Sequence, residues 1–290
     1  QGEFHEAVNW ESREKLPVLF VIQNNKYAIS VHVKDQSGGK GNSIAEMMSG
    51  YDNLLRMKID GTDYFKSVEA VKESVEYMKS GKGPVLIEAE VVRLHSHSSS
   101  DDQKKYRTPE ELEHDLKNDP IEKVTRHLLS KNLIKEEEIE KIKQEITDEI
   151  NNAADDAMKA DDPDPANAAK FVFDESEFKN SLEYEKSEPA GEKIVMVDAI
   201  NHALKEEMAF NDKMYIFGED IADGKGGVFT ATKGLSTKFG NERVFNSPLA
   251  EASIMGVAVG MALAGLKPVV EVQFGDYIWP GFMQIKSELA

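Results

Sequence analysis

What most constrains this chain is an alternation. Short, continuous apolar runs are each separated from the next by a stretch long enough for a helix. LPVLFVIQ (residues 16–23), NLLRMKIDG (53–61) and PVLIEAEVVR (84–93) have strand length. The first is apolar on both sides of the pleat, which suits a strand covered on both faces. Between the second and third lies DYFKSVEAVKESVEYMKSG, where Phe65, Val68, Val71, Val75 and Met78 recur at helical spacing and Gly81 or Gly83 supplies the stop. Connections of this kind are crossovers rather than hairpins, so the strands are expected to run parallel with right-handed connections.

The alternation pauses and then restarts. A polar loop, RLHSHSSSDDQKKYRTPEE, is followed by helices predicted at about 120–132 and 136–158, the second with a long charged face. Residues 160–192 hold ten acidic residues against three lysines, with DDPDPAN and SEPAG as breakers. From Lys193 a helix is expected at about 196–210, then strands at MYIFGE (214–219) and RVFNS, an apolar helix from Glu251, and a strand at KPVVEVQF (267–274). The predicted fold class is α/β. Two parallel-sheet domains with flanking helices, both read as incomplete, cover residues 1–158 and 193–290, and an acidic linker covers 159–192. The chain opens in one predicted helix and closes in another without an initiating Met, so it reads as a piece of a longer polypeptide.

The totals exclude several classes. The net charge of -18 leaves no basic surface for nucleic acid. No stretch approaches the roughly 20 apolar residues of a membrane-crossing helix, and SIMGVAVGMALAGL (253–266) fits a helix buried in a core. Cysteine is absent, which removes disulfides and thiolate metal sites and makes a reducing cytoplasm the expected compartment.

Three constellations could carry chemistry. The first is Asn24–Asn25, which stand where an apolar strand ends. Ligands of open parallel sheets bind beyond such ends, and amide and carbonyl oxygens suit a hard cation. A plain turn is the competing reading, because Asn tolerates left-handed backbone. Second, His95 and His97 in HSHSSSDD fall on one side of an extended segment. They could bind zinc, serve as a proton donor or anion-binding group near neutral pH, or be mere surface. Third, Glu251 in NSPLAEASIMGVAVGMALAG is the only ionisable side chain before a long apolar run. With Ser247 as expected N-cap and Pro248 in the first turn, it either favours the helix dipole or is a carboxyl kept neutral for hydrogen bonding. Gly256, Gly260, Ala262 and Ala264 on this helix imply a close helix or subunit contact.

Together these features resemble the thiamine-diphosphate-dependent 2-oxo-acid dehydrogenases, in the decarboxylating first component of their multienzyme complexes. Residues 1–158 resemble the later part of the alpha subunit and 193–290 the beginning of the beta subunit, which implies a fused alpha–beta form. The family's thiamine motif is Gly-Asp-Gly followed about 25 to 30 residues later by Asn-Asn. Asn24–Asn25 match its closing half; the opening half is expected just ahead of Gln1, so these 290 residues alone are expected to be inactive. By position the resemblance implies magnesium ligation by the Asn25 side chain and the Tyr27 carbonyl. It makes His97 the active-site histidine, with Arg93, Asp101, Tyr106 and Arg107 ordering its loop, and Ser98 stands where some relatives are phosphorylated. Glu251 would hydrogen-bond the aminopyrimidine ring of thiamine diphosphate, and Tyr277 would pack beside the cofactor.

The implied reaction is oxidative decarboxylation of a branched-chain 2-oxo acid of the 2-oxoisovalerate type, with acyl transfer to the lipoyl group of a partner dihydrolipoyl acyltransferase. The implied assembly is a homo-oligomer of fused chains. Alternatives are a pyruvate or acetoin dehydrogenase component, a non-catalytic acidic interaction fragment, and a zinc hydrolase built on His95 and His97.

Overall fold

The computed structural model describes residues 2–170 and 191–289. In the first half, α1 (Gly2–Glu14) leads to β1 (Leu19–Asn24), a short α2 (Ile44–Met47), β2 (Leu55–Asp60), α3 (Tyr64–Lys79) and β3 (Val85–Glu90). The sheet order is β1-β3-β2 and every pairing is parallel, as the crossover argument required. Leu19 and Leu55 both pair with Val85, and Asn24 and Asp60 both pair with Glu90. All three strands therefore finish level, and Asn24, Glu90 and Asp60 form one carboxyl-end edge. β3, in the centre, is buried on both faces. Leu86 packs with Val8, Ala45, Met48 and Leu54, while Val85, Ile87 and Ala89 pack with Ala70 of α3, the alternation a pleated strand dictates. α3 starts where Asp63 accepts hydrogen bonds from the Phe65 and Lys66 amides.

After β3 come α4 (Pro109–Lys117), α5 (Pro120–Ser130) and α6 (Glu136–Lys159). α4 interrupts what was expected to be a longer polar loop. Its start is written as Thr108-Pro-Glu-Glu111, and Thr108 and Glu111 form a capping box. The second half holds α7 (Met196–Phe210), β4 (Met214–Gly218), α8 (Leu235–Phe239), β5 (Val244–Asn246), α9 (Glu251–Leu263), β6 (Lys267–Glu271) and α10 (Ile278–Gln284). Its sheet is again parallel, in the order β5-β4-β6. Met214 and Ile216 of β4 face Met208, Leu235 and Val244. Phe217 points the other way, toward Ile254 of α9 and Trp10 of α1. Phe217 is 0% exposed, stacked on Phe245 at 5.2 Å and met edge-on by Trp10 at 6.0 Å. A residue of the first half thus completes the core of the second.

Accordingly, Gln1–Pro120 and Lys193–Ala290 form one compact unit, and Ile121–Glu192 form another. In the latter, α6 is solvated as its charge pattern predicted: Ile142, Ile146 and Ile150 are exposed, and Lys143–Glu140 and Lys141–Glu145 pair along its surface. Such exposed pairs contribute little each. Most of the acidic stretch read as a linker over 159–192 lies outside the described residues; the described parts, 159–170 and 191–192, are exposed. Among the described residues no helix is long and apolar enough to cross a membrane.

One expected helix start is corrected. α9 begins at Glu251 with Ala250 as N-cap, and no side chain of the N-cap residue bonds the helix. Ser247 instead donates its hydroxyl to the Pro248 carbonyl and its amide to the Gly218 carbonyl. It is spent on the preceding strand and turn.

Phe217→Ala is expected to lower stability in urea unfolding by about 3–5 kcal/mol, with Trp10 fluorescence as the probe. A loss below about 1 kcal/mol would show that the shared core does not form.

Candidate functional site

The carboxyl-end edge of the first sheet is organised by an acid that sequence inspection passed over. Glu88 lies in β3, inside a run that reads as apolar, and is 0% exposed. Its Oε1 accepts from Asn24 Nδ2 at 2.6 Å; its Oε2 accepts from the Ala45 amide at 2.9 Å and from the Ser43 hydroxyl. Burial pushes its proton affinity up, but the Ser43 hydroxyl, the Ala45 amide and the Asn24 amide outweigh that and hold the carboxyl below its ordinary value. Asn24 is therefore held by the protein itself. Its amide group donates to Glu88 and its Oδ1 accepts the Lys26 amide at 3.0 Å.

Asn25 lies one residue further and is only half-buried. Its Oδ1 accepts the Tyr27 amide at 3.0 Å, and Lys26 between them adopts φ 68°. The turn reading of the two asparagines is thus realised. It leaves the ligand reading open for Asn25, whose carbonyl oxygen has a second lone pair. Among the described residues the Tyr27 carbonyl receives no hydrogen bond. Two neutral hard oxygens are the kind of donor a magnesium ion takes, with its remaining ligands from water and phosphate. Asn25 and Tyr27 line a cleft of about 540 Å³ whose walls also include Asp60 and Glu90 from the strand ends and Glu111 and His114 from α4. Tyr27 reaches across and donates its hydroxyl to Glu111 at 3.1 Å; burial first, and then this bond, push the phenol's proton affinity up. Glu111 is a second contributor that sequence reading missed, although the capping box marked the helix that carries it.

The loop from Arg93 to Arg107 is tied together by the residues singled out for it. Arg93 donates through Nη1 to the carbonyls of Ala28 (3.0 Å) and Ile29 (2.8 Å) and through Nη2 to the Tyr106 hydroxyl (2.6 Å). Tyr106 in turn donates to Asp101 at 2.6 Å, and Asp101 accepts the His97 amide at 2.9 Å. The Tyr106 hydroxyl, followed by the His97 amide, holds the Asp101 carboxyl below the usual range. Arg107 donates to the Arg93 carbonyl at 3.0 Å and pairs with Asp115 at 2.5 Å, almost out of solvent. Both guanidinium groups lie over the Tyr27 ring, at 5.6 and 5.4 Å. His95, His97 and Ser98 are exposed. Among the described residues no three His, Cys, Asp or Glu side chains converge on a metal position, so His95 and His97 gain no third zinc ligand.

The second half contributes separately. Glu251 opens α9 and is half-buried. Tyr277 is 47% exposed and ends a row of rings, edge-on to Phe274 at 5.2 Å, with Phe274 on Phe229 at 5.5 Å. The Gly-rich turn after β4 is pinned by Asp223, which accepts from the Gly234 amide (2.5 Å), the Thr237 amide (2.7 Å) and Ser236 Oγ (2.9 Å). Burial opposes this carboxylate's charge, but the Thr237, Gly234 and Ser236 hydrogen bonds prevail and bring its pKa down to about 2. Glu251, Tyr277 and His97 are not among the residues that line the cleft holding Asn25 and Tyr27.

Residues 1–166 match the model of the dehydrogenase E1 component. The chain belongs to that family. Residues 192–290 match the pyrimidine binding domain of transketolase. The first half is similar to the 2-oxoisovalerate dehydrogenase subunit alpha of Bacillus subtilis, 37% identical over 60% of this chain and 52% of that protein. The second half is 51% identical to the beta subunit from the same organism, over 32% of this chain and 28% of that protein. The pyruvate dehydrogenase E1 component subunit alpha of Mycoplasma genitalium is 35% identical over 56% of this chain and 44% of its own length. The chain thus spans about half of the alpha relatives it matches and under a third of the beta relatives.

Glu88→Ala would strand three buried donors and is expected to cost about 3 kcal/mol in chemical denaturation. The folded carboxyl titrates below its ordinary value of 4.5. Its contribution is therefore complete above that pH and is lost as pH falls through the lower folded value. Glu88→Gln should accordingly show a shallower loss of stability on acidification than the parent, and an identical acid limb would count against a charged Glu88.

Proposed function

We propose that this chain is part of the thiamine-diphosphate-dependent first component of a 2-oxo-acid dehydrogenase acting on branched-chain 2-oxo acids of the 2-oxoisovalerate type. The observation that carries the reading is that the two halves of one chain resemble the alpha and the beta subunit of the same 2-oxoisovalerate enzyme. Pyruvate as substrate is the second reading, supported by the likeness to pyruvate dehydrogenase subunits. The cytoplasm is the proposed compartment, and fused chains are proposed to assemble as homo-oligomers.

Asn25 through its side-chain oxygen and Tyr27 through its carbonyl would hold magnesium, and the ion would hold the diphosphate. When bound, thiamine diphosphate supplies the electron sink that lets a 2-oxo acid lose carbon dioxide. Glu251 would hold a proton at the pyrimidine nitrogen facing it, and Tyr277 would pack beside that ring. His97, exposed at the tip of the loop that Arg93, Asp101, Tyr106 and Arg107 brace, would meet the substrate carboxylate and then the lipoyl group of a dihydrolipoyl acyltransferase. Bracing matters here because a misplacement of about 1 Å in a reacting group can cost roughly a hundredfold in rate.

In the complete enzyme, assayed with an artificial electron acceptor, 2-oxoisovalerate should be turned over with a higher kcat/KM than pyruvate; the reverse order would favour the pyruvate reading. Glu251→Gln and His97→Ala should each lower kcat by at least about a hundredfold with unchanged circular dichroism. Near-normal turnover by either variant removes that residue's role. Thiamine diphosphate with magnesium should raise the melting temperature of the complete enzyme, and no shift would favour a non-catalytic protein.

A further inference from the structure

The first turn of α9 lacks a cap of its own. The first N–H groups of any helix have no partner within it, and Ala250 at the N-cap has no side chain that could accept one. The Ser253 amide is nonetheless bonded, because Glu6 of α1 accepts it through Oε2 at 3.0 Å across a separation of 247 residues. A carboxylate at this place also meets the positive end of the helix dipole. Two more contacts fix the same joint. Trp10, one turn further along α1, is buried against Phe217 and Ile254, and Arg13 donates to the Asn246 carbonyl at 3.4 Å. On the other side α10 closes in: a Cβ built on Gly281 would lie 2.8 Å from the Glu251 carbonyl oxygen.

We infer that Glu6 is a positioning residue for Glu251, an inference that rests on the role given to Glu251 above. An acid in the first turn of a helix is drawn back toward that turn's own free amides. With the Ser253 amide taken by Glu6, that amide no longer competes for the Glu251 carboxyl. The cap comes from the half that carries Asn25, and the acid it frees belongs to the other half. One hydrogen bond therefore couples the placement of the two halves' reactive groups, without Glu6 touching either substrate or cofactor.

The test uses the complete enzyme with Glu6→Ala, Glu6→Gln and Glu251→Gln, followed by steady-state kinetics and by amide exchange of the segment containing Ser253. Glu6→Ala should lower kcat about tenfold with KM for the oxo acid within about twofold, and should speed exchange at Ser253 about tenfold. Glu6→Gln retains a carbonyl acceptor and should recover both readings to within about threefold. Unchanged kcat and exchange in Glu6→Ala would overturn the inference, as would a Gln variant impaired as severely as the Ala variant. If Glu251→Gln kept its turnover, the failure would lie with the role of Glu251, and accelerated exchange in Glu6→Ala would still separate a true cap from an absent one.

Discussion

A carboxylate buried inside a sheet is tolerable only if every hydrogen bond it lost from water is replaced. Glu88 meets this condition with three donors from two places in the chain: Asn24 at the end of the neighbouring strand, and Ser43 and Ala45 at the start of α2. The requirement propagates. Asn24 must finish level with Glu90, so the turn that follows starts at a set height, and Asn25 and Tyr27 arrive beside the cleft with their oxygens in a defined order. The position of the candidate metal ligands is thus a by-product of satisfying one buried acid.

The parallel α/β alternation could be read from the sequence because the order and length of its elements rest on local signals. Strands and a helix form where the apolar runs and the glycine stop place them, but the faces differ: α3 turns Ala70 and Ser74 inward and leaves Phe65 and Val71 exposed, and β1, expected to be covered on both faces, leaves Val21 exposed. The start of α9 could not be read locally. Ser247 and Pro248 look like a helix start, but the hydroxyl and amide of Ser247 are claimed by the Pro248 and Gly218 carbonyls. The true cap lies 247 residues away, and a local window cannot contain it. Glu88 was hidden for a related reason: in a strand buried on both sides, polarity at one position looks like noise until its partners are known.

At the site, legibility divided along the same line. Arg93, Asp101, Tyr106 and Arg107 were recognised through a family likeness and do converge, through bonds of 2.6 to 3.0 Å. Glu111 was missed because its contact, the Tyr27 hydroxyl, comes from a distant turn. The grouping of Gln1–Pro120 with Lys193–Ala290 was equally invisible, since an acidic intervening stretch reads as a separator. It is Trp10 on Phe217, a contact between two rings, that joins the halves into one core.

The Tyr106 oxygen accepts a hydrogen bond from Arg93 and donates its own O–H to Asp101, so it sits at the midpoint of a directional series of dipoles. In such a series each member polarises the next, and losing the middle member would remove two bonds at once, while Arg93 would keep the Ala28 and Ile29 carbonyls and Asp101 the His97 amide. A chemical change at that one phenol would therefore slacken the segment bearing His97 from two directions, with the guanidinium and the carboxylate each left on a remaining foothold.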